Sequence, residues 1–183
     1  FEPFCIEELL GREPIEPLPH LMEKNVKGKV VLVTGAGGTI GSEICKQVLA
    51  AKPKALILVE ASEFALYEID MNLRGLSLQD QVQITPSLGS IQDRQFLEDV
   101  FKAHKVDTIF HAAAFKHVPL VEANVFSAIN NNVFGTMLLC EMAVQHLVTS
   151  FTLISTDKAV RPTNVMGATK RLAELICQYY ATK

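Results

Sequence analysis

The run from Ser155 to Lys170, STDKAVRPTNVMGATK, sets a hydroxyl, a carboxylate and an ammonium group side by side at Thr156, Asp157 and Lys158. Adjacent opposite charges shift each other's proton affinity. An acid and a base held close, with pKa values pushed apart, can move protons within one reaction cycle. Asp157 and Lys158 are therefore a candidate acid–base pair, and a surface pair that merely caps a helix is the structural alternative. Met166 and Lys170 follow four residues apart, which puts them on one face of a helix.

A second constellation suits a phosphate. In Thr34-Gly35-Ala36-Gly37-Gly38-Thr39-Ile40-Gly41, the residues Gly35, Gly38 and Gly41 are spaced GxxGxxG, with Gly37 as an additional glycine. Glycines permit a tight turn and let backbone N–H groups approach a pyrophosphate, while a helix opening at Thr39 and Ile40 adds aligned donors and partial positive charge. Glu60 lies 19 residues after Gly41, where an acid accepts hydrogen bonds from ribose hydroxyls. Ala61 and Ser62 follow, and neither could neutralise a 2′-phosphate, so NAD rather than NADP is expected. Lys116 and His117 are placed to face the same cleft near phosphates. His111 reads as a satisfied strand-end histidine, and no His/Cys/Asp cluster has metal-ligand spacing.

These residues need a scaffold, and the chain supplies a regular one from Lys29. Short apolar runs alternate with helical stretches: 30–33 then 40–51, 55–59 then 62–73, 82–85 then 93–103, 108–111 then a long helix over 119–146, and 151–154 then 164–180. Apolar runs this short suit strands buried on both faces of a parallel sheet. Right-handed crossovers make five such units a doubly wound α/β sheet, a Rossmann fold. Its sixth strand and any substrate domain are not in the sequence. The long helix is apolar on more than one face, at Val125, Phe126, Ile129, Val133, Met137, Leu138 and Leu139. Core packing takes most of these, and a remaining stripe could pair with a second copy of the chain.

Residues 1–28 hold four of the eight prolines and read as an extended arm or linker, with a short helix near Ile6 to Leu10; residues 29–183 form the domain. The chain starts at Phe1 and still reads as helix at its end, the pattern expected of a piece of a longer protein. Its 183 residues can bury a sizeable core, and a net charge of −3 with a pI near 6.0 argues against a nucleic-acid or anionic-membrane surface. No apolar run is long enough to span a bilayer. Cys5, Cys45, Cys140 and Cys177 show no paired spacing, which suits reduced thiols in a cytoplasmic compartment.

The TGxxGxxG pattern resembles that of short-chain dehydrogenases/reductases. His111-Ala112-Ala113-Ala114 and Asn132-Val133-Phe134-Gly135-Thr136 resemble its extended branch. More specifically, His111 to Glu122 (HAAAFKHVPLVE) and Ile154 to Arg171 (ISTDKAVRPTNVMGATKR) are similar to nucleotide-sugar 4,6-dehydratases of bacterial polysaccharide biosynthesis. The nearest type is the membrane-anchored UDP-N-acetylglucosamine 4,6-dehydratase in which methionine replaces the usual tyrosine. Glu7 to Pro14 is similar to the segment that precedes the catalytic domain there.

That resemblance implies a hydride loan. NAD+ takes hydride from C4 of the sugar, the resulting ketone acidifies C5–H, water leaves from C6, and the hydride returns to C6. By the same resemblance Asp157 protonates the leaving hydroxyl, Lys158 takes the C5 proton, and Thr156 holds the C4 oxygen. Lys170 holds the nicotinamide ribose, Ala112 and Ala113 line the cofactor, and Asn132 with Lys116 and His117 meets a UDP-sugar. Met166 stands where a tyrosine would move the C4 proton, leaving Thr156, Asp157 or a bound water to do so. Ser90 stands where many extended members carry an adenine-contacting aspartate. A C4 epimerase and a non-catalytic NAD-binding module are the rival readings. A cytoplasmic domain of an inner-membrane-anchored bacterial protein, self-associating through the long helix, completes the expectation.

Overall fold

In the computed structural model, residues 19–76 and 82–183 are described. Five strands, β1 (Val30–Thr34), β2 (Ala55–Glu60), β3 (Gln83–Leu88), β4 (Thr108–His111) and β5 (Ser150–Leu153), form one sheet in the order β3-β2-β1-β4-β5. Every pairing is parallel, and Val31 on the central strand sits between Leu56 and Thr108. The expected doubly wound sheet is therefore present, and its order reverses beside β1, where α/β sheets open a crevice for ligands.

Strand periodicity divides the core into two layers. Val31 and Val33 point with Leu56 and Leu58 toward α2 (Thr39–Ala50) and α3 (Glu63–Arg74), on the side that also holds α1 (Pro19–Val26). Leu32, Ile57 and Ile109 point the other way, toward α4 (Arg94–Ala103) and α7 (Thr136–Gln145). Pro86 lies inside β3, an edge strand, where a missing N–H is tolerated.

Two expectations are corrected. The chain from Pro19 to Val26 is a helix rather than an extended arm, with Val26 fully buried; the helix expected near Ile6 to Leu10 lies outside the described residues. The stretch from Pro119 to His146 is not one helix. It comprises α5 (Val118–Ala123), α6 (Val125–Ile129), a π-helical turn (Asn130–Gly135) and α7. Asn124 breaks the first junction with non-helical φ −135° and ψ 53°. Leu120, Phe126 and Phe134 remain exposed along these pieces.

A 3₁₀ turn (Asp157–Ala159) follows β5 and leads to the last helix, α8 (Val165–Tyr180). No helix among the described residues is long and apolar enough to cross a membrane.

Candidate active site

The loop between β1 and α2 is shaped by close backbone approaches. Gly35 has φ +65°, and a Cβ there would lie 2.7 Å from the Ala113 nitrogen of the β4 loop. A Cβ on Gly41 would run into the Gly35 carbonyl oxygen, so α2 rises directly off the turn. Gly38 differs, because within 4 Å a Cβ there would meet only the Gly35 oxygen, at 3.3 Å. It is the N-cap of α2 and brings no capping side chain, which leaves first-turn N–H groups facing an open cleft. This is a cradle that a pyrophosphate fits. Glu60 closes it from β2: one carboxylate oxygen accepts from Gly37 N at 3.0 Å, the other from Ala61 N at 2.9 Å and Ser62 N at 3.1 Å.

A cavity of about 520 Å³ runs from this cradle across the carboxyl ends of the strands. Gly35, Gly37, Gly38, Thr39, Ile40, Gly41 and Glu60 line one end; Lys116, Thr156, Lys158, Met166 and Lys170 line the other, with Ala112 and Ala113 between. Residues sequence reasoning had not singled out, among them Phe115, Asn131, Ile154 and Ser155, complete the wall, and Ser90 also lines it. The small-residue run after β4 was the available signal for that part of the wall.

The far end is held by α8. Its N-cap Asn164 accepts from Gly167 N at 2.8 Å, and Glu122 of α5 accepts from Val165 N at 2.7 Å, so two side chains serve its first turn. Met166 is buried among Val121 and Ala128. Lys170, only 6% exposed, donates to the Ile154 carbonyl at 2.6 Å; burial lowers its pKa, against the pull of Cys177 and Glu174. Ser155 donates to Glu174 at 2.6 Å and Arg171 donates to the same carboxylate at 2.8 Å.

In the 3₁₀ turn, the Thr156 hydroxyl donates to Asp157 Oδ1 at 2.9 Å, and Lys158 Nζ lies 3.7 Å from the same oxygen. The hydroxyl's bond and then the lysine's charge lower the Asp157 pKa, so this group rests as a carboxylate. Asp157 itself, between Thr156 and Lys158, is not among the residues that line the cavity, and its side chain is 89% exposed.

Two expected ligand contacts are placed elsewhere. Asn132 does not line the cavity. It is 1% exposed, accepting from Phe115 N at 2.8 Å and from Asn131 Nδ2 at 3.0 Å, while donating to Phe115 O at 2.9 Å and Thr169 Oγ1 at 3.0 Å. With its polar atoms so engaged it clamps three segments, and its neighbour Asn131 faces the cleft instead. His117 lines an adjoining pocket of about 380 Å³, which shares Ala114, Phe115 and Lys116 with the main cavity. Among the described residues no group of His, Cys, Asp and Glu could hold a metal ion.

A parallel sheet in this order, with a glycine cradle at the first helix and an acid ending β2, defines a Rossmann fold of the short-chain dehydrogenase/reductase kind. The chain belongs to the polysaccharide biosynthesis protein family, whose model matches residues 31–183. It is 43% identical over 173 residues to the capsular polysaccharide biosynthesis protein CapD of Staphylococcus aureus, covering 94% of this chain and 29% of CapD. A UDP-N-acetylglucosamine 4,6-dehydratase (inverting) of Campylobacter jejuni is 31% identical over 144 residues, 78% of this chain and 41% of that protein. A UDP-glucose 4-epimerase of Rickettsia typhi is 32% identical over 153 residues, 80% of this chain and 42% of that one. Among solved structures, the dTDP-glucose 4,6-dehydratase DesIV of Streptomyces venezuelae, with NAD and TYD bound, superposes with a TM-score of 0.71 at 25% identity, over 84% of this chain and 52% of DesIV. The chain thus spans less than a third of CapD and about two fifths of the two named enzymes.

Proposed function

We propose that this chain is the NAD-binding part of a nucleotide-sugar 4,6-dehydratase that acts on UDP-N-acetylglucosamine in polysaccharide biosynthesis. The observation that carries the reading is the composition of the cavity's far end. Thr156, Lys158, Met166 and Lys170 line it together, and no tyrosine does so among the described residues. Bound NAD+ would supply the hydride acceptor for C4 and return that hydride to C6. Gly38 and the first turn of α2 hold the pyrophosphate, Glu60 the adenosine ribose, and Lys170 the nicotinamide ribose.

Proton traffic then falls to the 3₁₀ turn. With the non-titrating Met166 in the wall, the C4 hydroxyl proton passes through the Thr156 hydroxyl to the Asp157 carboxylate. Protonated in that step, Asp157 becomes the acid that helps the C6 hydroxyl leave, while Lys158 takes the C5 proton and, after exchange with solvent, delivers a proton back to C5 as the hydride returns to C6. The depressed Asp157 pKa suits a group that begins the cycle ionised.

An epimerase is the second reading, favoured by the Rickettsia relative. One experiment separates the two: incubation of the full-length protein with UDP-N-acetylglucosamine and NAD+ in deuterated water. A 4-keto-6-deoxy product with deuterium at C5 is expected, whereas a C4 epimer without a 6-deoxy sugar would sink the dehydratase reading. Asp157→Asn should abolish elimination while NAD binding persists; retained turnover would refute the relay. In the whole protein a membrane anchor precedes this part, and a second copy pairs across exposed Leu120, Phe126 and Phe134. Sedimentation of Phe126→Lys, with loss of the dimer expected, checks the pairing.

A further inference from the structure

We propose that Cys140 and Cys177 form an oxidation site, in which the two thiols close to a disulfide that staples α7 to α8. The residues are far apart in sequence, yet their sulfurs lie 3.8 Å apart across the packed helices. Both line a cavity of about 510 Å³ beside β5, together with Val148, Phe151 and Tyr180. Cys140 is buried and Cys177 half-buried, so a small oxidant entering the cavity meets Cys177 first.

The chemistry of the pair is asymmetric in the same sense. The bond from Cys140 lowers the Cys177 pKa, with further help from the charge of Lys170, whereas that bond and burial raise Cys140. Cys177 is thus the attacking thiolate and Cys140 the resolving thiol. A low-molecular-weight disulfide such as oxidised glutathione is the oxidant. The Cys177 thiolate attacks one of its sulfurs, forming a mixed disulfide and releasing one glutathione thiolate. Cys140 then loses its proton, attacks Cys177 Sγ and expels the second. The protein dithiol is oxidised, the small disulfide is reduced to two thiols, and atoms and electrons balance.

Closure bears on the candidate active site, because α8 also carries Lys170, about two turns before Cys177, and α7 continues the π-helical turn that holds Asn131. Cys45 provides an internal control: it is buried in the other core layer, and burial pushes its thiol up to about 12.

The test treats the folded chain with oxidised glutathione, traps remaining thiols by alkylation and maps the peptides by mass spectrometry. A Cys140–Cys177 cross-link is expected, with Cys45 alkylated. Cys140→Ser is expected to stop at a glutathione adduct on Cys177. A wild-type chain that stays fully reduced, that carries separate adducts on the two cysteines, or that cross-links through Cys45 would overturn the proposal. So would a Cys140→Ser chain that takes up no glutathione at Cys177.

Discussion

His111 shows how a single polar side chain is fixed inside an apolar sheet. It is completely buried at the end of β4, its Nδ1 2.6 Å from Thr34 Oγ1 and its Nε2 2.9 Å from Thr136 Oγ1. Thr136 already spends its proton on the Asn132 carbonyl at 2.7 Å, so Nε2 must be the donor to Thr136. Nδ1 is then the acceptor of the Thr34 hydroxyl, and the network assigns one neutral tautomer. Burial, with the charge of Lys170 adding to it, lowers the His111 pKa from 6.5 to about 3. A depressed histidine pKa means that between those values the unfolded chain binds a proton the folded chain refuses. Its contribution to stability is complete above pH 6.5 and is lost as pH falls toward 3, at up to about 1.4 kcal/mol per pH unit. Urea unfolding of wild type and His111→Gln at pH 7 and pH 5 checks this. The wild type should lose more stability between the two pH values, and equal losses would show that His111 does not titrate with folding.

At the scale of elements, the join between the 3₁₀ turn and α8 sets the active-site geometry. A Cβ on Gly167 would run into the Lys158 carbonyl oxygen and come within 3.2 Å of the Pro162 Cβ. Because backbone cannot swing aside as a side chain can, Gly167→Ala should cost about 1–3 kcal/mol and displace Lys158 from the cavity. Thermal unfolding reads the first effect, and the elimination rate of the full-length protein reads the second. An unchanged melting temperature would show that the helix does not seat this closely. This join was only partly legible in the sequence. The strands were readable because their short apolar runs feed both core layers, and the cradle because glycine spacing records close backbone approach. The long helix was misread because apolar residues recur at helical spacing from Val125 to Val144 across the weak helix formers Asn130, Asn131, Asn132 and Gly135, while the π-helical turn is a matter of hydrogen-bond register that composition does not encode. That register also decides that Asn131 rather than Asn132 meets the cleft. Proximity of Cys140 to Cys177 was invisible for a related reason, since it arises from packing between two helices separated by β5.

For the molecule as a whole, the question is where the folded unit begins. Sequence composition puts the boundary at Lys29, yet contacts across the base of the sheet put α1 inside it. Val26 is fully buried in the core layer formed with β1, β2, α2 and α3, and Met22 packs against the same cluster. Thr108 of β4 donates to the Asn25 carbonyl at 2.6 Å, and Lys29 N donates to Val26 O at 3.0 Å. Gly28 N donates to Lys52 O at 3.0 Å, binding the same turn to the end of α2. A chain that begins at Lys29 would therefore uncover one side of the core and strip the buried Thr108 hydroxyl of its acceptor. Burying a valine contributes about 1.5–3 kcal/mol, and exchanging the Thr108–Asn25 hydrogen bond for one to water costs about 0.5–1.5 kcal/mol. Residues 29–183 should thus be less stable than residues 19–183 by at least about 2 kcal/mol. Urea denaturation of the two chains measures the difference, with a lower midpoint expected for the shorter one. Val26→Ala in the longer chain should reproduce part of the loss, because it empties the same site while leaving the Asn25 carbonyl in place. Coincident midpoints for the two chains would mean that α1 only rests on the sheet and that the folded unit does begin at Lys29.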